Sequence, residues 1–318
     1  MYSAWEEGRQ LVEWMREYNA SHSNVLQYFG TDIGGFYQTW KFPLENIFKY
    51  LKLVDVEYHE ILNKKLEPFI DLLATNARLN YSEKLSPTKK NELAVILDEA
   101  LKQFDEQEEI YTRSSGSEEF QWARQGLASL QLAENYYRNY EERQQPDKSR
   151  YIGLNGREIA MARNCRWVKE KMRKDAKIIW INHVIHTKTR TQYQDEVWGH
   201  LTPAGQILQQ IFGDQFFSIG MAYGGGQFWK RWQKSEERHV DSVPACGEGG
   251  SLERTLQQVC AGRNCLLPWS RVSDRSAAEA WTRTTLSLRE NDYFIRLEPC
   301  EWDCCIYLDR VGPATPAT

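Results

Sequence analysis

The spacing of apolar positions along this chain alternates between helical and strand-like periods. From 5 to 19, Trp5, Leu11, Val12, Met15 and Tyr18 recur roughly every third or fourth position, which predicts an amphipathic helix. Residues 25–29 form a short apolar run closing on Gly30 and read as a strand, with Asp32 just beyond its carboxyl end. A long helical tract extends from 43 to 142. Leu44, Ile47, Phe48 and Leu51 mark one face, and Ile61, Leu66, Phe69, Ile70 and Leu73 a second, with Pro68 as a kink or a start. Ser86-Pro87 is a helix-start signal ahead of the stripe Leu93, Ile96, Leu97, Leu101 and Phe104. The serine-rich break at 114–117 separates this from a further helix over 120–140. Two antiparallel helical hairpins result.

Beyond Pro146 the pattern shifts again. Met161, Cys165, Val168 and Met172 predict a helix over 155–173, which feeds the run KIIWINHVIH at 177–186. Four apolar residues there, three of them β-branched, read as a buried strand of a parallel sheet. A helix over 201–212, a strand over 216–223 ending in Gly224-Gly225-Gly226, a polar loop over 236–251, an element over 293–297 and a strand at 304–308 complete the reading; 313–318 reads as a frayed tail. The expected fold class is therefore α/β. A mostly parallel central sheet is flanked by helices, with 43–145 as a helical cap insert and 146–318 plus 1–42 as the α/β core of a single domain. No repeat of 34 or 40 residues is visible, which argues against a solenoid.

Composition narrows the class. The 318 residues carry a formal charge of −4, so nothing steers the chain to nucleic acid or anionic membrane. No apolar window reaches membrane-spanning length, and the first ten residues lack a signal-peptide pattern. Seven cysteines, with Cys304 and Cys305 adjacent, fit reduced thiols and a cytoplasmic location better than a disulfide framework. The small-molecule cleft of an open α/β sheet lies at the carboxyl ends of its strands. That rule puts His183 and His186 at a rim, with Asn182 beside them.

At neutral pH an imidazole can handle a proton or donate a hydrogen bond to developing negative charge. On that basis His183 is expected to contact substrate or oxyanion, with His186 supporting it. Asp32 is a candidate to orient a histidine or the water, and Arg157 to polarise a carbonyl or hold a carboxylate. Glu158 is a candidate substrate contact, although with Asn155 as N-cap it stands at the capping-box position. Trp40, Tyr136 and Trp229 are candidates for the substrate wall. The glycine run lacks the Lys-Ser/Thr of a phosphate cradle and reads as a closely packed loop. His22, His59, His200 and His239 read as surface or core residues.

Six segments, in this order, resemble the erythromycin esterase family: WEEGRQLVEWMREYN at 5–19, YFGTD at 28–32, NGREIAMARNCRWV at 155–168, IIWINHVIH at 178–186, FFSIGMAYGGGQF at 216–228 and EWDCCIYLDRVGPATP at 301–316. The resemblance covers nearly the whole chain. It implies an α/β core with an inserted helical region, and hydrolysis of a macrolide lactone by activated water without metal or cofactor. It also implies a role in macrolide resistance. Two departures stand out. Family enzymes carry an early Gly-Glu-x-x-His-Gly segment whose histidine is the implied general base, and no such segment occurs here. The expectation is a chain matching the carboxyl-terminal three quarters of the family, with an exposed first strand edge that favours self-association. The histidine motif also reads Ile181-Asn182-His183-Val184 where the family has Trp-Ala-His-Asn.

Two alternatives remain open at this point. His183, His186 and Asp32 can make a two-histidine, one-carboxylate metal set, although no cysteine pair has zinc-site spacing. A non-catalytic fragment or ligand-binding remnant is the other. Oligomeric state is not legible in the sequence.

Overall fold

Helix-start chemistry fixes much of the first half of the chain. Asp55 accepts the amide of Tyr58 at 2.9 Å and thereby separates α2 (Lys41–Val54) from α3 (Val56–Ala74). Ser86 accepts the amide of Lys89 at the start of α5 (Pro87–Glu106), where Pro87 occupies the first turn. Pro68 lies inside α3 rather than at a break. Two short helices that the periodicity does not predict, α4 (Ala77–Lys84) and α6 (Glu108–Ser115), join these to α7 (Ser117–Glu142). The computed structural model describes residues 5–34, 40–142, 152–189, 202–231, 238–242, 251–268, 276, 287–290, 293–296 and 301–316.

The chain divides into two compact units. One comprises 31–180 and 194–207 and is helical. Its core gathers Leu51, Leu66, Phe69, Leu97, Phe104 and Leu127 with the buried phenols Tyr81, Tyr111, Tyr136 and Tyr137. Residues 31–42 and α8 (Ile152–Lys171), expected in the α/β half, belong to this helical unit. In α8, Met161, Cys165 and Val168 are buried along one face, as the periodicity predicts.

The other unit comprises 1–30, 181–193 and 208–318 and holds α1 (Glu6–Ser21) and the strands. Its main sheet has the order β2-β1-β6-β3, from β1 (Ile219–Arg231), β2 (Arg238–Ser242), β3 (Cys265–Pro268) and β6 (Cys304–Val311). Only the β1–β6 pairing is parallel among the described residues, so the sheet is mixed rather than mostly parallel. A separate hairpin pairs β4 (Ser287–Glu290) with β5 (Tyr293–Arg296). Ala222, Trp302, Cys305 and Tyr307 pack with Leu252, Leu256 and Cys260 of α11 (Leu252–Cys260).

Several expectations are corrected. Neither 25–29 nor 178–181 forms a strand: both are irregular, and Ile179 is 88% exposed. An apolar run becomes a strand only when a neighbour accepts its backbone bonds, and no ladder reaches either among the described residues. The glycine run is not a loop; β1 passes through it. Gly226 has φ 119°, and a Cβ there would collide with the Val311 backbone, so close approach of β1 to β6 requires glycine. The polar stretch 236–251 contains β2. The tail is tied rather than frayed through 316, because Glu6 donates its amide to the Thr315 carbonyl, and Trp5 bridges Pro316.

Cysteine chemistry also departs from expectation. Ala261 and Gly262 turn with positive φ (51° and 73°) between α11 and β3, which brings the Cα atoms of Cys260 and Cys265 to 6.2 Å, and the two form a disulfide. Cys165, Cys304 and Cys305 are free and buried. Burial pushes the Cys165 thiol up to about 11 and that of Cys305 up to about 12, so at pH 8 the thiolate is about one part in a thousand or less. All three are expected to escape iodoacetamide at pH 8 in the folded protein and to react in denaturant. Peptide mapping by mass spectrometry checks this, and labelling of Cys165 in the native state contradicts it.

Candidate active site

The histidine pair sits on a short turn. Asn182 accepts the amide of His183 at 2.8 Å, which leaves its side-chain oxygen engaged with the backbone. His183 opens α9 (Val184–Thr187), its Nδ1 accepting the Ile185 amide at 3.3 Å and its carbonyl accepting the His186 amide at 2.9 Å. His183 is exposed and His186 is 8% exposed, with ring centroids 6.0 Å apart in an edge-on arrangement. A neutral imidazole whose Nδ1 accepts must carry its proton on Nε2.

Residues 187–189, immediately past the histidines, each meet the segment ahead of β6, the two threonines by hydrogen bonds and the lysine by charge. Thr187 Oγ1 accepts from the Trp302 indole at 3.1 Å. Lys188 Nζ lies 3.0 Å from the Glu301 carboxylate, and these two side chains are 5% and 0% exposed. Thr189 donates both its amide (2.8 Å) and its hydroxyl (2.9 Å) to the Glu301 carbonyl. Ser218, just before β1, donates its hydroxyl to the Thr187 carbonyl and its amide to Asp303. Val184 packs on the apolar cluster that contains Trp302. No sequence pattern marks Lys188, Glu301 or Ser218. The hints are that Glu301-Trp302 opens the last of the six recognisable segments and that Ser218 falls in the fifth.

The helical unit holds the other polar candidates. Arg157 on α8 grips Asp32 through two parallel bonds, Nε to Oδ1 at 2.7 Å and Nη2 to Oδ2 at 2.6 Å. Burial works against the Arg157 charge, but the bonds and the charge of Asp32 outweigh it and raise the guanidinium pKa. The residue before Asp32 is pinned as well: Thr31 accepts from Asn164 through its carbonyl (3.0 Å) and from Trp180 through its hydroxyl (3.0 Å). No sequence pattern points to Thr31, Asn164 or Trp180 in this role.

Glu158 does not close a capping box. The helix begins at Ile152, so Asn155 lies in its first turn and not ahead of it. Instead Glu158 is buried and accepts the Ala204 amide at 2.8 Å, while Asn155 accepts the Thr202 amide at 2.8 Å. Glu158 thereby satisfies the otherwise unpaired first amide of α10 (Ala204–Phe212), and Asn155 holds the chain two residues ahead of it. Trp40 and Tyr136 lie in the helical core, each at most 1% exposed, and Tyr136 accepts from Arg78 at 3.0 Å. Trp229 is half-buried on β1, donates its indole N–H to the Ala314 carbonyl and faces Trp5 at 5.9 Å.

Among the described residues, no group of three or more His, Cys, Asp or Glu is arranged to hold a metal ion. Nor is any helix there long and apolar enough to cross a membrane.

Comparison with known proteins gives the same family that the six segments resemble. The family model described as erythromycin esterase matches residues 1–298. Among solved structures, a succinoglycan biosynthesis protein is 18% identical with a TM-score of 0.77, covering 98% of this chain and 72% of its own. A protein from Bacillus cereus is also 18% identical with a TM-score of 0.77, covering 99% of this chain and 74% of its own. A histidine-to-asparagine mutant of the erythromycin esterase EreC, in its open conformation, is 13% identical with a TM-score of 0.70, covering 97% of this chain and 73% of its own. No curated protein matches.

Proposed function

Because the chain belongs to the erythromycin esterase family, we propose that it is a carboxylic ester hydrolase that opens a lactone, a macrolide lactone included, or cleaves another small ester with activated water. The observation that supports this most directly is the state of His183. Its Nδ1 accepts the Ile185 amide on an exposed imidazole, an arrangement that the neutral ring can make only with its proton on Nε2. That nitrogen is a hydrogen-bond donor. In ester hydrolysis negative charge grows on the carbonyl oxygen as water adds, and a fixed donor lowers the barrier where that charge appears.

Acting as a base would require the opposite tautomer and would break the Ile185 bond. We therefore assign His183 to the carbonyl oxygen, and deprotonation of the water to a second group. His186, buried behind it, packs the turn. Arg157 and Asp32 form a mutually neutralising pair, and the role assigned to Arg157 is to hold that carboxylate in place. The partners are small esters rather than nucleic acid or membrane, in keeping with the charge of −4.

The test is hydrolysis of a panel of macrolides and simple carboxylic esters, with mass spectrometry for the ring-opened or cleaved acid. Addition of water to at least one member is the expected result. No turnover of any ester sinks the reading.

A further inference from the structure

We propose that the buried Lys188–Glu301 ion pair is a positioning device for the His183–His186 turn, fixing the direction in which His183 presents Nε2; the inference rests on the hydrolase reading above. Lys188 lies two residues beyond His186, and both members of the pair are almost entirely out of water (5% and 0% exposed). Removing two opposite charges from water is costly, and an apolar pair of similar volume often serves stability as well or better. What an ion pair adds over apolar packing is a set distance between two fixed points.

The surrounding bonds point the same way. Thr187 and Thr189, on either side of Lys188, are each tied to Trp302 or Glu301. The clamp thus grips three consecutive residues just past the histidines and joins them to the root of β6. Ser218 extends it to the start of β1, since it meets both the Thr187 carbonyl and Asp303. The exposed histidine is thereby carried on a turn whose rear edge is fixed to both strands of the parallel pair.

The test is a Lys188→Met/Glu301→Leu double variant of the full chain, which replaces the charges by apolar groups of similar volume. Its melting temperature should match or exceed that of the parent. Its kcat on the best ester should fall about ten- to a hundredfold, with KM changed by less than about threefold. The 15N spectrum of the His183 imidazole, assigned against His183→Ala, should show the proton fixed on Nε2 in the parent and shared between both nitrogens in the double variant. Parental kcat and a parental His183 spectrum in the folded double variant would overturn the proposal. A parent that hydrolyses no ester removes the hydrolase reading instead, and the imidazole spectra then decide the positioning role alone. Should the double variant not fold, Lys188→Arg, which keeps the charge and displaces its head group, is put through the same two measurements. An unchanged kcat and spectrum there overturns the proposal equally.

Discussion

Replacing His183 by Ala is expected to lower kcat/KM for ester hydrolysis by about two to four orders of magnitude. The side chain is exposed and caps only the short α9 through the Ile185 amide, so unfolding free energy should move by about 1 kcal/mol. His183→Gln separates the two roles an imidazole can play. A glutamine amide can still donate to a carbonyl oxygen but has no proton affinity near neutrality. If Nε2 acts as a donor, Gln should recover part of what Ala loses, at least about tenfold by the size of one oxyanion bond. If His183 were the base, Gln and Ala would be equally poor. Steady-state kinetics on the best ester, with thermal melts alongside, measure both effects, and an Ala variant at the parental rate removes His183 from the chemistry.

The amphipathic helices were legible because their faces are periodic over three or more turns and their caps are local. Leu93, Leu97, Ala100 and Phe104 on α5 are all buried. The Ser86 cap could be read from two adjacent letters. Strands were harder to read, for a physical reason: a strand's identity lies in its neighbour. The run at 178–181 has the composition of a buried parallel strand, yet Ile179 and Ile181 face solvent and no ladder reaches them among the described residues. Conversely β2, β3 and β4 are short and owe their state to pairing, and no alternation over four or five residues reveals them. The disulfide was missed because an odd cysteine count says nothing about which pair a turn such as 261–262 will bring together.

The site divides in the same manner. A motif marks His183 and His186, and Arg157 and Asp32 fall in two of the recognisable segments. The residues that hold them are invisible to pattern because they act at a distance along the chain. Lys188 and Glu301 are 113 positions apart by number, and only folding pairs them. Glu158 illustrates the opposite error. A local capping rule claimed it, while the structure uses it to receive an amide of a different helix, 46 residues on.

Removing only one charge of that distant pair should have the largest effect on stability. Lys188→Met leaves the Glu301 carboxylate fully buried without its cation, and Glu301→Leu leaves the ammonium without its anion. Breaking a buried pair from one side costs about 3–5 kcal/mol, because the remaining charge must stay desolvated, protonate or drag in water. Neither side has an easy escape. Lys188 is bracketed by Thr187 and Thr189, both bonded to the 301–302 segment, and Glu301 contributes its own carbonyl to Thr189. The turn cannot swing out to water without giving up those bonds as well. Each single variant is therefore expected to lose a large share of a stability that for a chain of this kind is only about 5–15 kcal/mol. The double apolar replacement should recover it, so the two single losses are strongly non-additive. Urea denaturation of the parent, both single variants and the double variant closes the cycle. Single-variant losses below about 1 kcal/mol would mean that the pair is solvated in solution, and the clamp behind His183 would then have to rest on the threonine and tryptophan bonds alone.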